Sequence, residues 1–266
     1  MLLAAKIAVL SAVGLVAGLG SVAGDESSST PAAAARSASA AELSAALSAN
    51  NLALRAAIDT WRAEGDPPTA PPPQEVMSSA RYLQDTVRDL ASRKNLARTT
   101  VELLDNPLAG EIRELVRAAV DLRRLSSGWP SHHVETGNPR PLAELEGYYD
   151  EAFRRFGVHR HYLAAIHLVE SKFGRVKNDS VAGAQGPMQF IPSTWDIYGL
   201  GGDIHDPHDA ILGAANMLDH NGAPTDYERA LFAYNPSRLY VDAVKRYAKL
   251  IKRDPYAVYF LYCWGP

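Results

Sequence analysis

A single glutamate stands in a stretch whose apolar residues recur at helical spacing. Leu163, Ile166 and Val169 line one side, and Glu170 lies one turn beyond Ile166, near a helix end that Gly174 is expected to cap. Partial burial and the negative end of the helix dipole disfavour a charged carboxyl group there. We therefore expect the pKa of Glu170 to rise toward the range of a general acid. Taken alone, the same residue could be an ordinary solvated helix glutamate.

Small residues follow in the stretch from Ser180 to Thr194, SVAGAQGPMQFIPST. Three of them leave room for a polymer to lie against the backbone, and three larger neighbours offer apolar and amide contacts to a sugar. The small residues are Gly183, Ala184 and Gly186, and the larger ones are Met188, Gln189 and Phe190. A tight glycine turn before a proline-started helix explains Gly186 and Pro192 but not the whole set.

Three motifs in this order resemble the lytic murein transglycosylases with a goose-lysozyme-like catalytic domain. That family's signature is Glu-Ser, then Ser-x-x-Gly-Ala-x-Gly-x-Met-Gln-x-x-Pro-x-Thr, then Ala-Tyr-Asn. The chain has Glu170-Ser171, the whole central block, and Ala233-Tyr234-Asn235. Pro187 and Pro236-Ser237 depart from the commonest pattern as a subfamily trait would. The Ala/Arg-rich composition and the Trp195 to Tyr198 variant look similar to actinobacterial relatives. The resemblance covers residues 142–266.

The resemblance implies that Glu170 is the catalytic acid/base on peptidoglycan glycan strands, acting without a metal or cofactor. Gln189, Tyr234 and Asn235 would line the sugar cleft. The other implied substrate-binding positions are Gly183, Ala184, Met188 and Phe190, with Ser171, Ser180 and Tyr240 as second-rank candidates. The family cleaves between N-acetylmuramic acid and N-acetylglucosamine and leaves 1,6-anhydro ends.

Other functions stay open at this point. A hydrolase with two carboxylates needs a second acid across the scissile bond, and no Asp or Glu falls within residues 180–194. A lysozyme-type hydrolase of the same fold would differ only in admitting water. The remaining alternatives are a non-catalytic cell-wall-binding protein and an adaptor whose N-terminal helices are the functional part.

The sequence predicts helices as the elements that position these residues. Periodic apolar positions predict helices over 142–156, 160–173, 192–198, 210–220, 227–234 and 239–251, separated by turns with Gly and Pro. The tail from Tyr256 to Trp264 favours a short β element or an aromatic plug. We therefore predict a mostly α fold, and the resemblance implies that residues 142–266 form a lysozyme-like domain.

The preceding residues predict accessory helices over 41–125, interrupted by a proline-rich spacer at 66–73. Apolar spacing indicates one helix over 41–64, one over 74–104 and one around 112–122, the last two closing as a hairpin. Gly and Pro mark a linker at 126–141. A structural role and a partner-binding role for these helices both stay open.

The N-terminal sequence and the net charge indicate where the protein is located and which classes of partner it binds. Residues 1–24 join Lys6 to an uncharged apolar run, which is typical of a signal peptide or membrane anchor, and a Ser/Ala-rich flexible linker follows at 25–40. The protein is thus expected to be exported and extracytoplasmic, associated with the cell wall or membrane-anchored. A net charge of −3 argues against nucleic-acid binding.

Two clusters suggest chemistry less strongly. Five residues after a glycine-rich turn could ligate a metal, but their spacing fits a turn and helix start better. They are Asp203, His205, Asp206, His208 and Asp209. His167 lies one turn before Glu170 and is either a packed histidine or a residue that tunes it. The single Cys263 is interpreted as a buried apolar residue.

Overall fold

A computed structural model describes residues 38–127 and 133–266, and these residues form eleven helices. The first four are α1 (Ala40–Arg62), α2 (Gln74–Ser92), α3 (Lys94–Glu102) and α4 (Leu108–Ser126). The next four are α5 (Leu142–Phe156), α6 (Arg160–Ser171), α7 (Pro192–Tyr198) and α8 (Pro207–His220). The last three are α9 (Tyr227–Tyr234), α10 (Arg238–Arg253) and α11 (Ala257–Tyr262). The mostly α prediction is confirmed.

The N-terminal helices follow the apolar periodicity with one exception. Ser39 caps α1 through a reciprocal pair of hydrogen bonds with Glu42. The predicted helix over 74–104 is wrong as a single element, because Arg93 leaves helical geometry at φ −127° and ψ 70°. The apolar spacing continues through this kink, since Ala97 and Val101 after it are also buried. Both α2 and α3 pack on α4, as the predicted hairpin requires, and both also contact α1.

Helix α10 lies at the centre of the molecule. It packs along α4 on one side and along α6, which carries Glu170, on another. Its buried residues include Val241, Val244 and Tyr247. The buried apolar residues of α1–α4 and of α5–α11 belong to one continuous core. The position of α6 therefore depends on the N-terminal helices through α10.

The C-terminal tail forms a helix where the sequence allowed a short strand. Its aromatic residues pack inward against α1. Trp61 contacts Tyr259 edge-on with ring centroids 5.8 Å apart and stacks on Tyr262 at 6.5 Å. Gly265 exchanges hydrogen bonds with Gln84 of α2. The β-prone composition reflects aromatic core residues, so the aromatic plug is the correct alternative, and Cys263 is buried with it as predicted.

A polar triad ties α1 to α4 and to the end of α10. The Arg55 guanidinium donates to Glu111 at 2.9 Å and to Asp254 at 2.7 Å. Two carboxylates thus share one cation. Burial, together with the neighbouring Asp254 charge, raises the pKa of Glu111 to about 7.

Several predicted segments lie wholly or partly outside the described residues. These are the signal peptide or anchor at 1–24, most of the linker at 25–40 and part of the linker at 126–141. Of the first linker, Ser39 and Ala40 already belong to the start of α1. Within the described ranges, none of the helices has the length and apolarity needed to cross a membrane.

Candidate active site

Glu170 occupies the last turn of α6 and faces the start of α10. Its side chain is buried, with 3% of its surface exposed. The Tyr240 hydroxyl donates to Glu170 Oε1 at 2.7 Å. Burial, together with the charge of Glu170, holds the pKa of Tyr240 well above its usual range, so the phenol keeps its proton and acts as a donor. Tyr240 therefore fixes one oxygen of the carboxyl group.

The end of α6 is shaped by Ser171 rather than by the expected glycine cap. The left-handed turn begins at Lys172 with φ 54°, continues through Phe173 at 59° and includes Gly174 at 79°. The Ser171 hydroxyl accepts from the Gly174 amide at 2.8 Å and donates to the Pro187 carbonyl at 2.6 Å. Ser171 thus joins α6 to the glycine-rich block. Its 1% exposure places these hydrogen bonds in the core, and the sugar contact expected of Ser171 stays a prediction.

The block itself folds into two tight turns. Ser180 closes the first turn with two hydrogen bonds to Ala184. The Ser180 amide donates to the Ala184 carbonyl at 2.8 Å, and the Ser180 hydroxyl accepts from the Ala184 amide at 3.0 Å. Gln185 and Phe190 bridge the second with two backbone hydrogen bonds. Gly186 has φ 70°, and a Cβ there would lie 1.9 Å from the Ile204 carbonyl oxygen. Glycine is therefore required at 186 by close backbone approach.

The side chains of the block divide into two groups. Met188 and Phe190 are completely buried, and Phe190 packs edge-on against Tyr234 with ring centroids 5.7 Å apart. Both side chains therefore pack in the core, and the sugar contacts expected of them stay a prediction. Gln189 differs because it retains 3% exposure and adopts a left-handed backbone with φ 49°.

Two buried acceptor atoms in the motifs have no hydrogen-bond partner among the residues that the structure describes. Gln189 donates to the Gly186 carbonyl at 2.9 Å, but its Oε1 accepts no hydrogen bond. Asn235 Oδ1 is likewise buried without a partner, and Asn235 is 4% exposed. Unpartnered buried acceptors are uncommon and suit a ligand donor such as an amide N–H.

Tyr234 connects the third motif to the other two. Its hydroxyl donates to the Met188 carbonyl at 2.6 Å, and its ring is nearly parallel to that of Tyr240, with centroids 6.3 Å apart. Ala184 is buried in the block, whereas Gly183 lies exposed at the turn. Thus the structure gathers Glu170, Tyr234 and Tyr240 at one place, with Gln189 and Asn235 contributed by the adjoining segments.

Lys172 is a charged residue near the site, and no sequence motif indicated it. Burial and the charge of Arg88 lower its pKa to about 8, while Glu170 acts in the opposite direction. Its ammonium group donates to the Leu168 carbonyl at 3.2 Å. Its adjacency to Ser171 was the only sequence signal. Arg88 belongs to α2, so the N-terminal helices reach the electrostatic surroundings of this region.

His167 is a packed histidine. It has no exposed surface, its Nδ1 lies 2.8 Å from the Tyr149 hydroxyl, and burial lowers its pKa to about 3. Of the two roles that the sequence left open for His167, a neutral ring bonded to Tyr149 corresponds to the packed histidine.

The Asp206 cluster forms the predicted helix start. The Asp206 side chain accepts from the amides of His208 and Asp209, and Asp209 accepts from the Asp203 amide at 2.9 Å. Three of these residues place ligand atoms within 4.8 Å of one another. The Asp206 side chain is engaged in capping and the His208 ring bonds Glu151 at 2.9 Å, so the turn and helix start account for the cluster.

Residues 147–256 match the family model of the transglycosylase SLT domain. The matched range is less than half of the chain and contains all three motifs. An SLT domain is lysozyme-like, and the match supports activity of the lytic transglycosylase class on peptidoglycan. Searches of curated proteins and of solved structures gave no significant match. The subfamily stays a prediction.

Proposed function

We propose that the protein is a peptidoglycan lytic transglycosylase in which Glu170 is the single general acid/base. The observation that carries the proposal is the buried Glu170 carboxyl held by Tyr240 at 2.7 Å beside the glycine-rich block. The SLT match supports the reaction class. A fixed carboxyl group in a largely dry environment is suited to proton transfer.

In this mechanism the strand is cleaved between N-acetylmuramic acid and N-acetylglucosamine. Glu170 gives its proton to the glycosidic oxygen as the C–O bond breaks, and the substrate N-acetyl group stabilises the oxocarbenium-like centre. The Glu170 carboxylate then takes the proton of the muramoyl 6-hydroxyl, whose oxygen closes on the anomeric carbon. The products are a 1,6-anhydromuramoyl end and a free N-acetylglucosamine hydroxyl, and Glu170 is protonated again.

The surrounding polar groups suit the N-acetyl sugars of this substrate. The unpartnered acceptors Gln189 Oε1 and Asn235 Oδ1 can each accept from an acetamido N–H. Tyr234 and Tyr240 support the carboxyl group and the block. Because this substrate is part of the cell wall, the proposal includes export of the protein, consistent with the apolar run at 7–24.

The test is mass spectrometry of fragments that the full chain releases from purified peptidoglycan. Products lighter than hydrolytic muropeptides by one water support the proposal, whereas reducing ends identify a lysozyme-type hydrolase. Glu170→Gln should abolish release while retaining binding. Glu102→Gln is the matched control, because Glu102 is exposed at the end of α3. Unchanged cleavage by Glu170→Gln refutes the assignment of the acid.

A further inference from the structure

A second concave surface lies away from Glu170, between the start of α6, the start of α9 and the second half of α10. We call it the aromatic–basic groove and define it by His159, His161, Tyr162, Tyr227, Lys249 and Lys252. None of these residues belongs to the three motifs, and the proposed reaction does not use them.

The aromatic part of the groove is a cluster of stacked rings. Tyr162 and Tyr227 stack with centroids 3.6 Å apart and planes 11° from parallel. His159 stacks on Tyr227 at 6.0 Å and on His161 at 5.3 Å. The Tyr227 hydroxyl accepts from the His159 amide at 2.8 Å, which fixes the cluster. These rings are exposed or half-buried, so they offer a rigid aromatic surface to a ligand.

The basic part carries more positive charge than its neighbours neutralise. Lys249, Lys252 and Arg253 are exposed on α10, and in the described parts of the chain no carboxylate lies within salt-bridge distance of any of them. The groove's own acids are Glu114, which is paired with Arg246 at 2.8 Å, and Asp242. The surface is therefore locally cationic, although the chain has a net charge of −3.

His161 adds little positive charge to the groove at neutral pH. Burial, followed by the positive charges of His159 and Lys252, lowers the pKa of His161 to about 4. His161 is therefore a neutral ring beside the lysines.

The groove and Glu170 lie towards opposite ends of the paired helices α6 and α10. Tyr240 near the start of α10 bonds Glu170 near the end of α6, whereas the groove joins the start of α6 to the second half of α10, so the two helices run in opposite directions. His161 lies nine residues before Glu170, and Lys249 nine residues after Tyr240. At about 1.5 Å per residue, both are roughly 13 Å along the helix axes from the acid.

We propose that the aromatic–basic groove is a second binding site for peptidoglycan, which recognises sugar rings by stacking and stem-peptide carboxylates by charge. The inference rests on the proposed function for its choice of ligand. Lys249 and Lys252 are three residues apart on one helix face, and cations spaced in this way suit carboxylates distributed along a polymer. Such a site would hold the enzyme on the wall between cleavage events.

The experiment measures cosedimentation of the full chain with purified peptidoglycan, in a Glu170→Gln background that prevents cleavage. Lys249→Gln/Lys252→Gln is compared with Lys94→Gln/Arg98→Gln, which removes the same charge from exposed positions on α3. We expect the groove variant to bind roughly three- to tenfold more weakly, as two exposed charge contacts would predict. The control should bind as the parent does, and the difference should shrink in about 0.5 M salt.

Equal binding by the two double variants overturns the inference. It is also overturned if the groove substitutions leave peptidoglycan binding intact but weaken binding to phosphatidylglycerol vesicles, since the groove would then serve a lipid surface. With Glu170 intact, the groove variant should cleave short soluble glycan fragments at the parent rate. Absence of cleavage by the parent itself would instead refute the proposed function, so the two failures are distinguishable.

Discussion

The hydrogen bond from Tyr240 to Glu170 offers a test of how the carboxyl group is positioned. Tyr240→Phe removes only the hydroxyl that donates to Glu170 Oε1 at 2.7 Å and keeps the ring that stacks on Tyr234. A hydrogen bond to a charged group contributes about 1.5–3 kcal/mol. If the bond is used mainly to orient the acid in the transition state, kcat/KM should fall roughly 10- to 150-fold.

The assay is release of soluble fragments from purified peptidoglycan, with the melting temperature measured in parallel. Tyr247→Phe is the matched control, because Tyr247 is also buried on α10 and has no hydroxyl hydrogen bond to another described residue. The control should keep both its activity and its melting temperature. A Tyr240→Phe enzyme with unchanged kcat/KM would refute the positioning argument.

Two further predictions concern stability. Gly186→Ala should destabilise the fold by about 3 kcal/mol or more, because its Cβ would meet the Ile204 carbonyl oxygen. Gly183→Ala is the control, since Gly183 has φ 78° and nothing within 4 Å of an added Cβ, and it should cost only about 1 kcal/mol. Equal melting temperatures for the two variants would contradict this prediction. The folded-state pKa of Glu111, about 7, lies above its ordinary value of 4.5, so its contribution to stability is full below about 4.5 and is lost as pH rises through 7. Glu111→Gln should remove a pH-dependent loss on the order of 2 kcal/mol between pH 5 and 8 in urea unfolding, and an unaltered slope would contradict it.

Local signals in the sequence were sufficient for most helices of the matched region. The bounds of α5, α7 and α9 agree with the predicted ones, because Gly and Pro punctuate this part of the chain and apolar spacing is regular between them. Glu170 and its motif neighbours were also named in advance. Recognition of the three motifs carried that prediction, since Glu170 alone looked like an ordinary helix residue.

Features that depend on distant residues could not be predicted. The kink at Arg93 leaves the spacing of the apolar residues unchanged, so the kink cannot be predicted from that spacing. The left-handed turn at Lys172 is stabilised by Ser171, whose hydroxyl partner Pro187 comes 16 residues later. Met188 and Phe190 are likewise buried, and Phe190 packs against Tyr234 and Trp195. Their residue types suit both a core and a sugar contact, so only the tertiary structure shows that they are packed in the core.

The packing also predicts that the N-terminal helices are needed for activity. A chain starting at Leu142 would lack α4, which packs along α10, and would lose Trp61, against which Tyr259 and Tyr262 of the tail pack. Burying one large apolar side chain contributes about 1.5–3 kcal/mol. The free-energy cost of exposing even three such side chains is therefore comparable to the whole free energy of unfolding of a typical domain, about 5–15 kcal/mol.

Since α10 also carries Tyr240, loss of this packing should release the hydrogen bond that orients Glu170. We expect residues 142–266 alone to show little cleavage and a broadened or absent thermal transition beside the full chain. Adding residues 38–127 as a separate polypeptide should restore part of both if the two pieces reassociate. Full activity and an unchanged melting temperature for the shorter chain would show instead that the N-terminal helices are accessory, as an adaptor role for them requires.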